Sequence, residues 1–435
     1  MNRRDFIKLS LITATVIMTP IDIKADEYRF DTSKLDSVQF NNSRFAQNSP
    51  QILTIFLSGG SSQLAGNLTN LEDIKRLSES SYPNNIEITE NGFWIGAGGD
   101  EMESMLTNKQ LSVVRTVFRE KDNSRSHGVQ TAQNQTGSLD DEKSGFYTDL
   151  LYILGKKGAL TENSIIPSVS FTGGTPIIFQ RGDVTLPSHL NFTSLSSNLD
   201  NPYSMKENNH LEDGEDLMIQ ELANSVNSDS VNNPLFKKGH ENFLKKLDLS
   251  DYVDKIAEKE ITTEFPDNSF GKSLKGALQV MVNNPDTKLS YIEFGGWDDH
   301  SGAINNYKRR FSELFGAIKS GVEYLKAENN TSISIWVFTE FGRNVNLNKS
   351  LGWDHGNNLN LFVAGNSTSY LNLGKIIGET EIFKPDESKN RVYMRPKEGS
   401  EKYEPFSIAS TIHKIFGIDN PEILTDEVAI DSLLS

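Results

Sequence analysis

Six short runs of nearly unbroken apolar residues, at 51–57, 111–118, 165–171, 289–294, 332–338 and 359–363, punctuate the chain. Strands with one wet face alternate apolar and polar residues, whereas runs apolar at both parities mark strands covered on both faces, the habit of parallel sheets. Stretches with helical apolar spacing at 71–80, 128–136, 146–155, 270–283 and 407–416 supply that cover. The pattern predicts an α/β fold: a mainly parallel central sheet with helices on both faces.

Targeting residues come first in the chain. Arg3-Arg4-Asp5-Phe6-Ile7-Lys8 precedes the apolar run Leu9–Met18, with a small residue at Ala25, and residues 1–25 read as a twin-arginine signal peptide. The expected location is periplasmic or otherwise exported, with the twin-arginine translocase as a partner during export. An anchor that is never cleaved is the alternative. Residues 26–50, polar and rich in Asn and Ser, read as an extended lead-in. Core is expected over 51–179 and again over 269–435. Between them, 180–268 turns to Asn, Ser, Asp, Glu and Lys with scattered helical spacing, which reads as a mostly helical insertion or lid.

Charge and cysteine content narrow the function. A net charge of -16 excludes nucleic acid as the expected partner, because binding a phosphate backbone needs clustered Lys and Arg. No cysteine is present, so any metal must be held by oxygen and imidazole.

Two of the apolar runs end in side chains that carry chemistry. Leu289–Phe294 leads into Gly295-Gly296-Trp297-Asp298-Asp299-His300, and 332–338 into Thr339-Glu340-Phe341-Gly342-Arg343, followed by Trp353-Asp354-His355-Gly356. In open α/β sheets ligands bind at the carboxyl ends of the strands. Asp298, His300, Glu340, Asp354 and His355 are therefore candidate ligands for a divalent cation: zinc, manganese, magnesium or calcium. Such an ion polarises a phosphoryl or sulfuryl oxygen or acidifies a water. Polar residues collect at strand ends in most α/β proteins, so a plain structural explanation stays open.

The loop Ser124-Arg125-Ser126-His127 precedes a helix and offers Ser126 or His127 as nucleophile or proton carrier, unless it is simply a polar cap with a loop-bonded histidine. Arg343 and Arg125 are candidate anion clamps. Gly60, Ser61 and Ser62, after the first run, are candidate substrate-binding residues, since glycines let backbone amides approach a ligand. Trp297 and Trp353 either wall the pocket or pack in the core. His189, His210, His240 and His413 read as structural or solvated.

At these residues the chain resembles the exported bacterial family called domain-of-unknown-function 1501. The resemblance is carried by the three C-terminal motifs above, by Leu57-Ser58-Gly59-Gly60-Ser61-Ser62-Gln63 and by Arg125-Ser126-His127 with Ala132-Gln133, over roughly residues 50–420. That family is similar to the alkaline-phosphatase and sulfatase superfamily, which implies an alkaline-phosphatase-like sheet with metal at its carboxyl edge. By resemblance, Glu340 matches the acidic position of a strand-end Asp-His motif, His355 the late histidine ligand, and Asp298 with His300 the earlier pair. His127 falls on the nucleophile's place, with Ser126 beside it and Thr136-Gly137 closing the segment. This chain departs from the pattern at Gly59-Gly60-Ser61-Ser62, where no carboxylate follows the first strand, at Ala65, and at Phe341, where a histidine would stand.

The expectation is thus an exported metal-dependent hydrolase of a phosphate or sulfate ester holding one ion. Its partner would be a small anionic ester or a cell-envelope component. The rival expectation is an exported binding or assembly protein on a degenerate phosphatase-like fold.

Overall fold

The computed structural model describes residues 32–122, 124–161, 164–172, 175–180, 189–191, 259–384 and 391–435, with single residues at 221, 225, 252 and 255–256. By contacts the chain divides into one unit of 28–196 with 261–435 and another of 1–27 with 197–260. Everything below concerns the former. The expected signal at 1–25, most of the insertion at 180–268, and His210 and His240 lie outside the described residues, as does the side chain of His189.

An eight-stranded sheet runs in the order β4-β3-β5-β1-β6-β7-β2-β8. Its strands are β1 (Gln51–Ser58), β2 (Leu111–Phe118), β3 (Ser168–Phe171), β4 (His189–Asn191), β5 (Leu289–Gly295), β6 (Ile333–Thr339), β7 (Asn358–Gly365) and β8 (Ile376–Ile377). Every pairing is parallel except the two made by β7, which runs against β6 and β2. All six apolar runs are strands. A two-stranded ribbon of β9 (Thr380–Phe383) and β10 (Tyr393–Pro396) forms part of the C-terminal excursion.

Strand alternation explains why the runs are apolar at both parities. Ile52 and Phe56 of β1, Tyr291 of β5 and Trp336 of β6 point to one face, where they pack with Phe146, Tyr147 and Leu150 of the helix Phe146–Lys156 and Ile408 and Ile412 of Ser407–Ile415. The other face meets helices Ser269–Asn283 and Ala303–Ala327. The latter buries Ala303, Tyr307, Phe311, Leu314, Ile318, Val322 and Leu325, a stripe with helical spacing. Gly321 on that stripe lets Leu278 and Ile335 close in.

One expectation is corrected here. The lead-in is not extended through 26–50: Thr32–Asp36 and Asn42–Asn48 are short helices, the second capped by the Asn41 side chain on the Arg44 amide. Its Phe45 packs on Phe416, and that tertiary contact outweighs the polar composition. Among the described residues no helix is long and apolar enough to cross a membrane.

His413 is structural, as expected. It is fully buried on the closing helix, its Nε2 bonded to the Phe146 carbonyl at 3.1 Å. Burial pulls its pKa from 6.5 down to about 4. Between those values the unfolded chain binds a proton that the folded chain refuses. Stability is therefore whole above pH 6.5 and falls as pH drops towards 4, by roughly 1.4 kcal/mol per unit and on the order of 3 kcal/mol in all. The urea midpoint of the wild type should drop between neutral pH and about pH 5, and drop less in His413→Gln. Parallel losses in the two proteins would clear His413 of that role.

Candidate metal centre

Parallel strands place their carboxyl ends on one edge, and there the segments after β1, β2, β5 and β6 converge with the loop entering β7. Thr339, the last residue of β6, donates to the Leu57 carbonyl at 2.6 Å and accepts from the Ser61 amide at 3.0 Å. The β1 turn is thereby tied to the end of β6. Gly59 lies at φ +116°, and a Cβ there would sit 2.6 Å from the Asp298 amide; Gly60, at φ +72°, leaves room for the Phe341 ring. Only glycine allows both the backbone angles and the approach.

His127, Asp298, His300 and His355 bring one ligand atom each to within 4.8 Å of one another. His300 Nε2 lies 3.0 Å from His355 Nε2 and 3.1 Å from Asp298 Oδ1, and His127 Nε2 lies 3.6 Å from the same oxygen. Each imidazole is held from behind by its other nitrogen. His127 Nδ1 meets the buried Glu340 Oε1 at 2.5 Å, His300 Nδ1 meets Asp354 Oδ1 at 3.0 Å, and His355 Nδ1 meets the Arg125 carbonyl at 2.8 Å. Carbonyls and carboxylates only accept, so all three Nδ1 atoms carry the hydrogen. The three Nε2 lone pairs then face one another, an arrangement that a cation relieves.

The donor set fits a metal. Tetrahedral nitrogen ligands about 2.0–2.1 Å from one ion stand about 3.3–3.4 Å apart, and the three separations above lie to either side of that. Imidazole-rich donors suit zinc, whereas magnesium, calcium and manganese favour oxygen. Burial, despite the opposing bond from the Arg125 carbonyl, holds His355 down at about 4, so its ring stays neutral at physiological pH. Burial would raise the Asp298 carboxyl, but the hydrogen bond and charge of Arg343, with His300 and His127, outweigh it and hold it below the usual carboxylate value.

The edge also revises several sequence-based roles. Glu340 and Asp354, expected as ligands, stand behind His127 and His300 instead. Glu340 further accepts from the Gly59 amide at 3.1 Å and the Thr131 hydroxyl at 3.0 Å, so both its oxygens are engaged. Arg343, expected to clamp an anion, is fully buried and directs Nε to the Gly60 carbonyl, Nη1 to the Trp353 carbonyl and Nη2 to the Gly59 carbonyl and Asp298. Ser61 and Ser62 are buried under the turn, Ser61 bonding inward to Thr339 and Ser62 to Tyr307, and the Gly60 carbonyl is taken by Arg343.

Arg125 bonds Asn357 at 2.9 Å and the Tyr393 hydroxyl at 3.0 Å; its φ of 51° accompanies the turn of its carbonyl towards His355. Ser126 is exposed at the head of the helix His127–Thr136 and makes no capping bond. Trp297 and Trp353 are wholly buried and pack in the core. Thr131 and Asn134 were not foreseen, although they stand four and seven residues after His127 and so share its helix face. Asn134 donates to the Thr339 and Glu340 carbonyls.

A family model described as "Protein of unknown function (DUF1501)" matches residues 49–419. No curated protein matches the chain. Solved structures that align with it include a sulfatase from Pseudoalteromonas sp. (9% identity, 94% of this chain and 72% of that chain, TM-score 0.38). A phosphonate monoester hydrolase from Silicibacter pomeroyi aligns at 10% identity over 88% of this chain and 78% of that chain, with TM-score 0.35. For alkaline phosphatase from the Antarctic bacterium TAB5 the values are 13%, 84%, 98% and 0.31. At such scores no residue role is transferred from them.

An outer carboxylate that orients a ligating histidine typically contributes about 10–100-fold to metal affinity. Asp354→Asn should therefore weaken zinc binding by about that factor without abolishing it, while His300→Ala should abolish it, as read by titration calorimetry. Equal, total loss in both would return Asp354 to the ligand set.

Proposed function

The chain belongs to the DUF1501 family, and for this member we propose an exported metal-dependent hydrolase of a phosphate or sulfate ester. The observation that carries the reading is the gathering of one ligand atom each from His127, Asp298, His300 and His355 within 4.8 Å of one another, with every imidazole locked from behind. Asp298, His300 and His355 would hold one ion, zinc by donor chemistry. When bound, it would polarise an ester oxygen and acidify a water.

His127 serves as proton carrier. Its Nε2 stands 3.6 Å from Asp298 Oδ1 against the 3.1 Å of His300, and its helix is pinned by bonds of Thr131 and Asn134 to the end of β6, so we assign it as the base rather than a ligand. Neutral His127 takes a proton at Nε2, and Glu340, receiving the Nδ1 hydrogen, stabilises the imidazolium. Ser126, beside it, is the alternative nucleophile from the sequence; its exposure and lack of a capping bond favour His127. Nearly half of the His300 side chain and about half of Asp298 are exposed, so a bulky ester, including a cell-envelope component, has access. Export rests on the Arg3-Arg4 motif and the apolar run after it.

Protein purified without chelators should carry zinc and cleave an aryl phosphate or an aryl sulfate. His127→Gln should keep the ion and lose about 10²–10⁴-fold in turnover, and Ser126→Ala should do neither. A loaded wild type that cleaves neither ester class would favour the binding or assembly reading. Collapse of turnover in Ser126→Ala alone would move the nucleophile to Ser126.

A further inference from the structure

Resting on that reading, we propose that the Arg343 guanidinium is the second positive charge of this centre, supplied by the chain itself, and that it limits the centre to one metal ion. Four of the five guanidinium N–H groups face oxygen acceptors at the strand edge, and the fifth is directed at the ligand nitrogen of His300. Nε meets the Gly60 carbonyl at 2.5 Å, Nη1 the Trp353 carbonyl at 2.8 Å and His300 Nε2 at 3.4 Å, and Nη2 the Gly59 carbonyl and Asp298 Oδ1, the latter at 2.7 Å. With four donors committed to protein oxygens and no exposure, this arginine cannot reach out to a substrate.

Asp298 Oδ1 is the hinge of the argument. The same oxygen lies 2.7 Å from Arg343 and 3.1 Å from the His300 ligand atom, so one carboxylate bridges the guanidinium and the ligand cluster. A bridging carboxylate is what two cations share, and here one of the two is permanent because arginine does not deprotonate in proteins. Gly59 and Gly60, at the end of β1, have no side chain to offer as ligands, and their carbonyls already face the guanidinium. A further divalent ion there would meet the fixed like charge of a buried guanidinium.

Ion counting tests this. Full-length protein is loaded with excess zinc or manganese, desalted, and ions per chain are measured by mass spectrometry. Wild type and Arg343→Lys should each hold one. Arg343→Gln removes the charge and releases three carbonyls beside Asp298, an oxygen set open to a hard cation, and should hold two. Thermal unfolding confirms that the variants fold. Should Arg343→Gln not fold, Phe341→His decides, because it keeps the guanidinium and adds an imidazole beside His127 and His355. A count still at one supports exclusion by charge; a count of two means that only a ligand was missing and overturns the proposal. One ion in folded Arg343→Gln, or two in the wild type, also overturns it while leaving the hydrolase reading intact. No ion in the wild type sinks that reading and this proposal with it.

Discussion

A guanidinium with no exposure is tolerable only when every donor is satisfied, and at Arg343 that requirement organises the carboxyl edge of the sheet. Its partners are the turn after β1, the loop after β5 and the loop before β7, segments that reach 284 residues away in sequence. Truncating such a side chain would strand three carbonyls and a buried face of Asp298 at once. An apolar replacement could not satisfy them, so the charge and the local fold are mutually dependent. The neighbouring bond from Thr339 to Leu57 makes the same join between β1 and β6 without charge.

Outer carboxylates orient two imidazoles of the cluster. If Glu340 and Asp354 both entered the centre, three carboxylates and three imidazoles would compete for one small volume. Placed behind, they fix ring orientation and tautomer and raise the basicity of the nitrogen that points forward. Glu340 shows why the two arrangements exclude each other: with the Gly59 amide, the Thr131 hydroxyl and His127 all bonded to it, neither oxygen is left to turn inward.

The architecture was legible because it follows from patterns of period two and 3.6. Every apolar run became a strand, and helices such as Ser269–Asn283 and Phe146–Lys156 lie where their spacing placed them. Only β7 breaks the parallel order, and direction leaves no mark on a run of side chains. At the site, the identity of the converging residues could be read but not their depth. Whether a carboxylate touches an ion or a histidine behind it depends on displacements of one side-chain length, which spacing does not encode. Arg343 was misread for a related reason, since an arginine after a strand looks the same whether it turns outward to solvent or inward to carbonyls. The short helices at 32–36 and 42–48 were missed because their support is tertiary, as in the packing of Phe45 on Phe416.

His127 owes both of its conceivable roles to a single bond. With Nδ1–H directed to Glu340, Nε2 presents a lone pair forward, and that lone pair serves equally as a ligand or as a base. Position separates the two. His300 and His355 come from loops that Asn348 and Arg343 tie to the strand ends, bringing their Nε2 atoms to 3.0 Å from each other. His127 starts a helix whose placement is set further along, by Asn134 on the Thr339 and Glu340 carbonyls and by Thr131 on Glu340. A helix pinned in its second turn cannot slide its first residue forward without breaking those bonds. The ring is thus held beside the cluster by bonds made further along its helix.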